Sequence, residues 1–427
     1  MIPSRRDLLG GLAASFVSAP AGCGRPARPV REGGRVVVTF WYAFGDLIRK
    51  ALLDLVAQFN ASQDRILVRA VHQGDYYEAL AKLRTAIAAG AAPTLSHVVL
   101  EVLPYLARAG VLEPLDGYNQ APALPFVAAL EQRGSFTGAA GQPLYGIPFN
   151  RSTPIAYVNG AIFEAENARV PETWEELAAV ARRLTRRAPG GEVRWGFEVP
   201  ISWWYWVAMV GQAGGRIIEP GGRVSLGDSA GEAALRFWQR LVREERVMRP
   251  PPGRDYQAWQ STNESFLRGR IAMMWSSTAY VRYLEKSATF PVLAAPLPRS
   301  ERFAVPTGGT MFVMMRDAPE EEKLAGWRFV SWMCEPEQTI TWSTRTGYLP
   351  VNRAAVTRLS DEGWYGRHPN DRVAYDQLGV VEPWPWATDL FRIERDIVEP
   401  LLEDAVAGDR DAHDVMQQAR LEAAAPG

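Results

Sequence analysis

The chain has 427 residues, which is well above the ~150 residues of an average domain and excludes a single small core. Its 47 Lys and Arg residues nearly balance 48 Asp and Glu residues, and the net charge of -1 excludes a protein that coats nucleic acid by bulk charge. With 47% hydrophobic and 22% charged residues, the composition is that of a globular protein. The 15 tryptophans outnumber the 14 tyrosines, which is unusual.

The first 23 residues have the pattern of an export signal. The pair Arg5 and Arg6 precedes a short apolar stretch, and small residues precede Cys23. The paired arginines resemble a twin-arginine signal, and the small residues before Cys23 resemble a bacterial lipoprotein box, although Pro20 stands where an aliphatic residue is usual. We therefore expect export to the periplasm or the outer face of the cytoplasmic membrane. Cys23 is expected to be the lipid anchor, and the alternative is cleavage of the signal without lipidation.

The region after the signal predicts a stalk and then an α/β domain. Residues 24–35 are rich in Pro, Arg and Gly and predict a flexible stalk. Hydrophobic periodicity predicts alternating strands and helices, namely strand 35–40, a helix from Asp46 to Phe59, strand 66–71, helix 77–89 and strand 95–100. Such alternation predicts a mostly parallel sheet with helices on both faces and a ligand beyond the carboxyl ends of its strands.

Helix starts are well marked in the rest of the chain. Thr173 with Glu176, and Ser229 with Glu232, form the pattern of capping boxes and predict helices to Leu184 and Val242. Further helices are predicted after Pro319 and over 412–424.

Cysteines, histidines and motifs give no basis for metal or enzyme chemistry. Cys334 ends an apolar run and is predicted to be a buried core residue. Four scattered histidines do not have the spacing of a zinc site, and we interpret His72 and His97 as packing residues. The sequence motifs of hydrolases, nucleotide-binding enzymes and zinc peptidases are missing. We expect a protein that is not an enzyme and has no metal and no cofactor.

Short polar and glycine-containing segments between the predicted elements are the distinctive feature of the chain. They are Gly74–Tyr76, Glu101, Pro148–Pro154, Trp275–Ser277, Pro306–Gly309 and Thr346–Pro350. In this order they resemble the substrate-binding proteins of ABC importers (extracellular solute-binding proteins, family 1), most closely the branch that binds sn-glycerol 3-phosphate. The most specific pieces are Phe149–Asn159 and Thr346–Asn352, within a resemblance that covers nearly all of 36–425.

The resemblance implies a fold and its division. The expected fold class is α/β, the two-lobed periplasmic-binding-protein fold with hinge strands and a ligand cleft between the lobes. One lobe is expected at 36–152 plus 278–345, and the other at 153–277 plus 346–427. The implied partners are a small organophosphate ligand and ABC permease subunits in the membrane, with no nucleic acid, and we expect a monomer.

The resemblance also implies the residues that bind the ligand: Tyr76, Glu101, Ser152, Trp203, Trp206, Ser277, Gly309, Tyr348 and Arg395, with Arg392 as the alternative to Arg395. The chemistry of these residues suits a phosphate monoester, because Arg395 offers a guanidinium fork and the hydroxyl groups offer donors. Gly309 would let a backbone N–H approach the ligand, and Glu101 would accept hydrogen bonds from glycerol hydroxyls. Arg395 also has a plain interpretation as a salt-bridge partner on an acidic helix.

The predicted function is a substrate-binding protein of an ABC importer that captures sn-glycerol 3-phosphate or a glycerophosphodiester such as glycerophosphocholine. In the diester, tryptophan faces would attract the quaternary ammonium. Trp203, Trp204 and Trp206 cannot all face one cleft, so at least one is expected in the core. The alternative ligand is a sugar or oligosaccharide, for which aromatic platforms serve equally well.

Overall fold

The computed structural model describes residues 29–119, 123–131 and 143–425, except for the side chain of Asp46. The export signal, the proposed lipid anchor Cys23 and most of the predicted stalk lie outside the described residues. No helix in the described part of the chain has both the length and the apolar character needed to span a bilayer.

The described residues form thirteen strands in three sheets. They are β1 (Arg31–Glu32), β2 (Arg35–Tyr42), β3 (Ile66–His72), β4 (Leu95–Val99), β5 (Ile147–Ser152), β6 (Pro154–Asn159), β7 (Arg186–Arg187), β8 (Val193–Glu198), β9 (Ile271–Ser277), β10 (Val292–Ala295), β11 (Val305–Pro306), β12 (Gly308–Met314) and β13 (Val381–Glu382).

The first sheet has the strand order β1-β2-β4-β12-β5, with β3 also paired with β2. Strand β2 runs parallel to β3 and β4, as the alternation of strands and helices predicts. Strand β12 is antiparallel to both β4 and β5, so the sheet is mixed rather than mostly parallel. The reason is connectivity, because β12 enters this sheet after the chain has passed through the second sheet.

The second sheet has the order β10-β6-β9-β8-β7, and of its pairs only β8 with β9 is parallel. The chain passes directly from the first sheet to the second at Thr153, whose carbonyl accepts a 3.1 Å hydrogen bond from the amide of Thr278. The short pair β11 and β13 forms the third sheet. The fold is therefore α/β, with two main sheets connected by crossing segments.

Two segments differ from the predicted lobe boundaries. Strand β10 pairs with β6 in the second sheet, although 278–345 was expected in the first lobe. Residues after 346 were expected in the second lobe, yet Leu349 pairs with Arg151 and Asn352 with Phe126, both beside the first sheet. Backbone pairing between distant segments decides these memberships, and local sequence patterns do not contain that information.

The helices in the described residues are α1 (Asp46–Ala61), α2 (Tyr76–Ala88), α3 (Leu103–Arg108), α4 (Ala128–Glu131), α5 (Gly160–Ala165), α6 (Trp174–Leu184), α7 (Trp203–Gln212), α8 (Ser229–Gln239), α9 (Asp255–Leu267), α10 (Val281–Ser287), α11 (Glu320–Met333), α12 (Pro336–Thr346), α13 (Arg353–Asp361), α14 (Trp364–Arg367), α15 (Pro369–Asp376), α16 (Leu390–Arg392), α17 (Glu399–Ala407) and α18 (Ala412–Ala424). Short 3-10 turns cover Leu100–Val102, Thr278–Tyr280 and Gln377–Val380, and π-helical turns cover Arg240–Glu244 and Ile393–Val398.

The predicted capping boxes have different outcomes. Thr173 and Glu176 form a complete capping box at the start of α6, as predicted. Helix α8 begins at Ser229 but its N-cap is Asp228, without a side-chain cap hydrogen bond. Glu232 does not close a capping box, because with Asp228 as the N-cap it is the fourth rather than the third residue of the helix, and its carboxylate accepts from Arg420 at 2.9 Å.

Aromatic residues fill the core of the first sheet and fix the strands that lead to the cavity. The rings of Phe149 on β5 and Phe312 on β12 stack with their centroids 4.0 Å apart. Cys334 is buried in the same cluster, as predicted, and burial raises the pKa of its thiol. Stacked aromatic pairs stabilise such cores beyond the area they bury, so this pair helps to hold β5 against β12, and the ends of both strands line the cavity described below.

Candidate functional site

A cavity of about 760 Å³ lies between the two main sheets and is lined by residues from both. This volume is in the range of small-molecule sites, which is about 300–1,000 Å³. Seven of the nine residues predicted to bind the ligand line the cavity, namely Tyr76, Glu101, Ser152, Trp203, Ser277, Gly309 and Tyr348. Trp206 and Arg395 are not among the lining residues.

Two tyrosines form one wall of the cavity. Tyr76, at the start of α2, places its Oη 3.2 Å from the Oη of Tyr348, which follows α12. The amide of Asn150 on β5 donates to the Tyr76 hydroxyl at 2.9 Å. Burial raises the pKa of both tyrosines, so both hydroxyls stay protonated at neutral pH and remain hydrogen-bond donors.

The glycine pair at the start of β12 allows a close approach of three segments. Gly309 has φ +88, and a Cβ at this position would lie 1.7 Å from the carbonyl oxygen of Asn150. A Cβ at Gly308 would lie 2.6 Å from the ring of Trp204. Glycine is therefore required here for both backbone conformation and space.

The two serines flank the crossing between the sheets. Ser152 ends β5, and Ser277 ends β9, where its Oγ accepts a 3.2 Å hydrogen bond from the amide of Ala279. Because that oxygen accepts from the backbone, the hydroxyl hydrogen of Ser277 is the group it can offer to a ligand.

Helix α7 distributes its tryptophans over both the cavity and the core. Trp203 and Trp204 line the cavity. Trp206 is fully buried and its Nε1 donates to the carbonyl of Gly231 at 3.3 Å, so its predicted place in the cleft wall is wrong. The physical reason is the turn of the helix, which directs Trp206 toward α8. Trp204 is not among the residues predicted to bind the ligand, although it lines the cavity; its Nε1 donates to the carbonyl of Thr307 at 3.1 Å.

Arg395 forms an ion-pair network at the edge of the cavity instead of lining it. Its guanidinium binds both carboxylate oxygens of Asp255 and also the carboxylate of Glu399. It also lies 4.1 Å from the centroid of the Tyr77 ring. Arg395 is thus not a free phosphate ligand in this structure, and the alternative interpretation as a salt-bridge partner describes its contacts.

The alternative cation Arg392 does not line the cavity either. Its guanidinium donates to the carbonyl of Ala425 at 2.9 Å. The two arginines that do line the cavity, Arg254 and Arg282, are each paired with carboxylates. Every arginine that we predicted or observe at the cavity is therefore occupied by protein partners.

Carboxylates outnumber cations in the lining. Seven of the lining side chains are acidic: Asp75, Glu78, Glu101, Asp255, Glu394, Glu399 and Glu403. Asp75 has a structural task, since it caps α2 by accepting from two backbone amides. The remaining acids make the cavity a better environment for a positive charge or for hydroxyl donors than for a dianion.

Three of these carboxyls influence each other's protonation. Burial raises the pKa of Glu101 to about 7, against the opposing effect of Arg151. Burial, together with repulsion from Glu101 and Glu399, also raises the pKa of Glu394. Oε2 of Glu394 has no hydrogen-bond partner among the described residues, although the side chain is only 6% exposed. Such a group readily holds a proton at neutral pH.

Arg151 lies fully buried behind the glycine pair. Its guanidinium donates to the carbonyl of Gly308 at 2.8 Å and to that of Leu130 at 3.2 Å, and burial lowers its pKa to about 9. The sequence did not identify this residue as part of the site. Arg151 does not line the cavity, but it holds the carbonyl of Gly308 by a hydrogen bond, and its positive charge favours the ionised form of Glu101.

The histidines fall into two environments. His97 is buried and hydrogen-bonded, as expected for a packing residue. His72 is exposed and lines the cavity, so its interpretation as a packing residue is wrong. Among the described residues, no group of three or more His, Cys, Asp and Glu side chains is arranged to hold a metal ion.

The model of the bacterial extracellular solute-binding protein family matches residues 54–369, which is most of the chain. The chain belongs to this family. Solute-binding proteins of this kind are exported, bind small ligands and deliver them to ABC permeases.

A curated relative supports the family at the level of sequence. The solute-binding protein is 24% identical over 376 residues to the sn-glycerol-3-phosphate-binding periplasmic protein UgpB of Yersinia pestis, covering 83% of this chain and 82% of that protein.

Two solved structures show the same fold. UgpB from Mycobacterium tuberculosis in complex with glycerophosphocholine matches with a TM-score of 0.79 at 24% identity, over 91% of this chain and 98% of that one. The substrate-binding protein Lmo0181 from Listeria monocytogenes in complex with cycloalternan matches with a TM-score of 0.78 at 19% identity, over 91% and 97%. The two-lobed solute-binding fold expected from the sequence is thus confirmed.

Proposed function

We propose that this solute-binding protein captures a glycerol phosphate compound, and that a glycerophosphodiester with a cationic headgroup, such as glycerophosphocholine, suits it better than sn-glycerol 3-phosphate. The observation that carries the proposal is the composition of the cavity lining. Hydroxyl donors and the glycine pair at one wall suit phosphate or glycerol oxygens, while aromatic rings and carboxylates suit a positive charge.

Charge balance favours the diester over the monoester. A phosphate monoester carries close to two negative charges at neutral pH, and the cavity lining offers it no free arginine, because Arg254 and Arg282 are paired with carboxylates, while any charge on Glu101 would repel it. A phosphodiester carries one negative charge, and its ammonium headgroup supplies the positive charge that aromatic faces and carboxylates attract. The cavity of about 760 Å³ also exceeds what a three-carbon phosphate fills.

The relatives support the ligand class at the level of their names. The relative from Yersinia pestis is named for sn-glycerol 3-phosphate, and the structural neighbour from Mycobacterium tuberculosis is in complex with glycerophosphocholine. For this chain we propose Tyr76, Ser152, Ser277, Gly309 and Tyr348 as contacts to ligand oxygens and Trp203 as an aromatic wall. Glu101 is proposed as the acceptor for glycerol hydroxyls.

The remaining features of the proposal concern the cellular setting. We propose that Cys23 carries the lipid anchor that holds the exported protein at the membrane, and that the protein works as a monomer. The partner is the ABC permease, which receives the ligand. No enzymatic step is part of the proposed function.

Sugar binding is the second candidate. The structural neighbour from Listeria monocytogenes, in complex with cycloalternan, matches almost as well as the glycerophosphocholine complex. Trp259 lines the cavity with its ring stacked on that of the buried Tyr205, with centroids 5.0 Å apart, and the carboxylates of the lining accept hydrogen bonds from sugar hydroxyls.

A ligand panel separates the candidates. The purified protein is heated with glycerophosphocholine, sn-glycerol 3-phosphate, glycerol 2-phosphate, inorganic phosphate or maltose. A ligand present at about 100 times its Kd adds roughly 2.7 kcal/mol to the free energy of unfolding. We expect the largest rise in Tm with glycerophosphocholine and a smaller rise with sn-glycerol 3-phosphate. A rise with maltose alone would replace the proposal by the sugar candidate.

A further inference from the structure

The tyrosine pair in the cavity wall is connected to a buried row of polar groups. Tyr76 and Tyr348 share one hydrogen bond between their hydroxyls, in which either oxygen can be the donor. Tyr76 Oη also accepts from the amide of Asn150 at 2.9 Å. The two hydroxyls carry two hydrogens, of which one lies between the two oxygens. The other hydrogen has no acceptor among the described residues.

At the end of the row that is far from the tyrosines, the donor and acceptor roles of His97 are fixed by a backbone N–H. The backbone N–H of Ala43 donates to Nε2 of His97 at 2.8 Å, so Nε2 acts as an acceptor and carries no hydrogen. Burial lowers the pKa of His97 to about 3, so the ring is neutral and its hydrogen lies on Nδ1. Nδ1 then donates to Oγ1 of Thr310, which lies 2.8 Å away.

The donor and acceptor roles of Thr310 and Asn150 follow from that of His97. Oγ1 of Thr310 accepts from His97, so its own hydrogen goes to Oδ1 of Asn150, with which it forms a hydrogen bond. Because Oδ1 of Asn150 is engaged as an acceptor, the amide presents its NH2 group to Tyr76. A backbone N–H at one end thus fixes the orientation of every group up to the tyrosine pair.

We infer that this row makes the tyrosine pair a permanent hydrogen-bond donor toward the cavity, with Asn150, Thr310 and His97 as positioning residues that the ligand does not touch. With the Asn150 amide donating to Tyr76, neither tyrosine can donate its spare hydrogen to Asn150, and the described residues offer the pair no other acceptor. The wall therefore selects a ligand atom that accepts a hydrogen bond, such as a phosphate, ether or hydroxyl oxygen, and disfavours a donor such as an ammonium N–H.

The inference rests on the proposed function only for the identity of the ligand. Its first test is independent of any ligand. Nitrogen-15 NMR of the histidine-labelled full chain should show a neutral His97 with the hydrogen on Nδ1, the less common tautomer of free imidazole. His72→Gln, His368→Gln and His413→Gln assign the remaining three signals. A hydrogen on Nε2, or on both nitrogens, would overturn the inference.

The second test uses substitutions within the row and glycerophosphocholine as the probe in calorimetric titrations. Thr310→Val keeps the shape of the side chain but removes the hydroxyl, which lets the Asn150 amide reverse and accept from Tyr76. We expect at least a tenfold loss of affinity with Thr310→Val and recovery to within about threefold of the wild type with Thr310→Ser. Equal affinity of the valine and serine variants would refute the role of the hydroxyl.

Asn150→Asp replaces the donor by an acceptor without changing the shape. At mildly alkaline pH, where the new carboxyl is ionised, both tyrosine hydrogens are drawn toward the protein and glycerophosphocholine should bind at least tenfold more weakly. Asn263→Asp is the matched control, because Asn263 is also buried and lines the cavity but lies outside the row. A similar loss in both variants would mean that added charge, not direction, is responsible.

The two proposals fail in different ways. A wild-type protein that binds neither glycerophosphocholine nor sn-glycerol 3-phosphate would refute the proposed function, while the tautomer of His97 would still decide the inference.

Discussion

The guanidinium of Arg395 and the carboxylate of Asp255 form a two-pronged ion pair at the edge of the cavity, with Nη2 2.8 Å from Oδ2. Glu399 completes the network on the same guanidinium. Two carboxylates around one cation leave excess negative charge beside the cavity. This excess negative charge disfavours a ligand with two negative charges more than a ligand with one.

Asp255→Asn should shift selectivity toward the phosphate monoester. Removing one negative charge frees part of the Arg395 fork while Glu399 still holds it, so the fold should persist. We expect the affinity for sn-glycerol 3-phosphate to rise roughly fivefold, equivalent to about 1 kcal/mol, and that for glycerophosphocholine to change less. Calorimetric titration with both ligands measures the ratio.

The control for this variant is Asp376→Asn. Asp376 pairs with Arg372 on the exposed surface of α15 and does not line the cavity. Its substitution should leave both affinities unchanged. Should Asp255→Asn alter the two affinities equally, or not at all, the electrostatic explanation of selectivity would be wrong.

The raised pKa of Glu101 predicts a specific dependence of stability on pH. Its folded-state pKa is about 7, above the ordinary value of 4.5 for a glutamate, chiefly because burial disfavours the carboxylate. The corresponding stability is fully present below pH 4.5 and is lost as the pH rises through 7. Glu101→Gln cannot ionise and should lose less stability over this interval, by about 1–3 kcal/mol.

Urea unfolding at several pH values between these limits measures the effect. The difference between wild type and Glu101→Gln contains the titration of Glu101 and its repulsion of Glu394, whereas the burial that raises the pKa values of Glu394 and Glu399 is common to both proteins. Parallel curves for the two proteins would show that Glu101 keeps its ordinary pKa.

The sequence predicted the local elements of this fold better than their assembly. Local patterns identified β2 and β3 from their β-branched and apolar runs, and α1 from apolar residues on one helical face. They did not predict that β12 lies antiparallel between β4 and β5, because these pairings join segments far apart in the chain, such as Thr310 with Val99 and Gly308 with Ser152. Sheet order of this kind depends on tertiary contacts.

The prediction of the site was likewise better for local motifs than for contacts between distant parts of the chain. The resemblance indicated seven residues that line the cavity, because most of them lie in or beside short motifs between strands and helices. It did not reveal that Arg395 is engaged, since Asp255 is 140 residues away in the chain. Nor could helical spacing alone decide whether Trp204 or Trp206 faces the ligand, because both positions are apolar and only the packing of α7 against α8 separates them.

Gly309→Ala should destabilise the protein strongly. The new Cβ would overlap the carbonyl oxygen of Asn150 at 1.7 Å, and the residue would have to keep a φ of +88. We expect a loss of at least about 3 kcal/mol in the free energy of unfolding, measured by urea denaturation. Gly269→Ala is the matched control, since its φ is also positive at +67 but nothing lies within 4 Å of a Cβ there.

The control should lose only the cost of a left-handed conformation, about 1–2 kcal/mol. The difference between the two variants measures the steric part. If the alanine at 309 were tolerated as well as the one at 269, the close approach of β12 to β5 at this point would be incorrect.

Trp204→Phe and Trp206→Phe should separate binding from stability. Trp204 is half-buried in the cavity lining and its indole N–H donates to Thr307, so its loss should weaken ligand binding roughly threefold to tenfold. Trp206 lies wholly in the core, so its substitution should lower the free energy of unfolding by about 1–3 kcal/mol and leave the Kd unchanged. Titration with glycerophosphocholine and urea denaturation of both variants measure the two quantities. If Trp206→Phe lost more affinity than Trp204→Phe, the assignment of Trp204 to the cavity and of Trp206 to the core would be wrong. A ring that contacts the ligand affects the Kd directly, whereas a ring in the core affects mainly the free energy of unfolding.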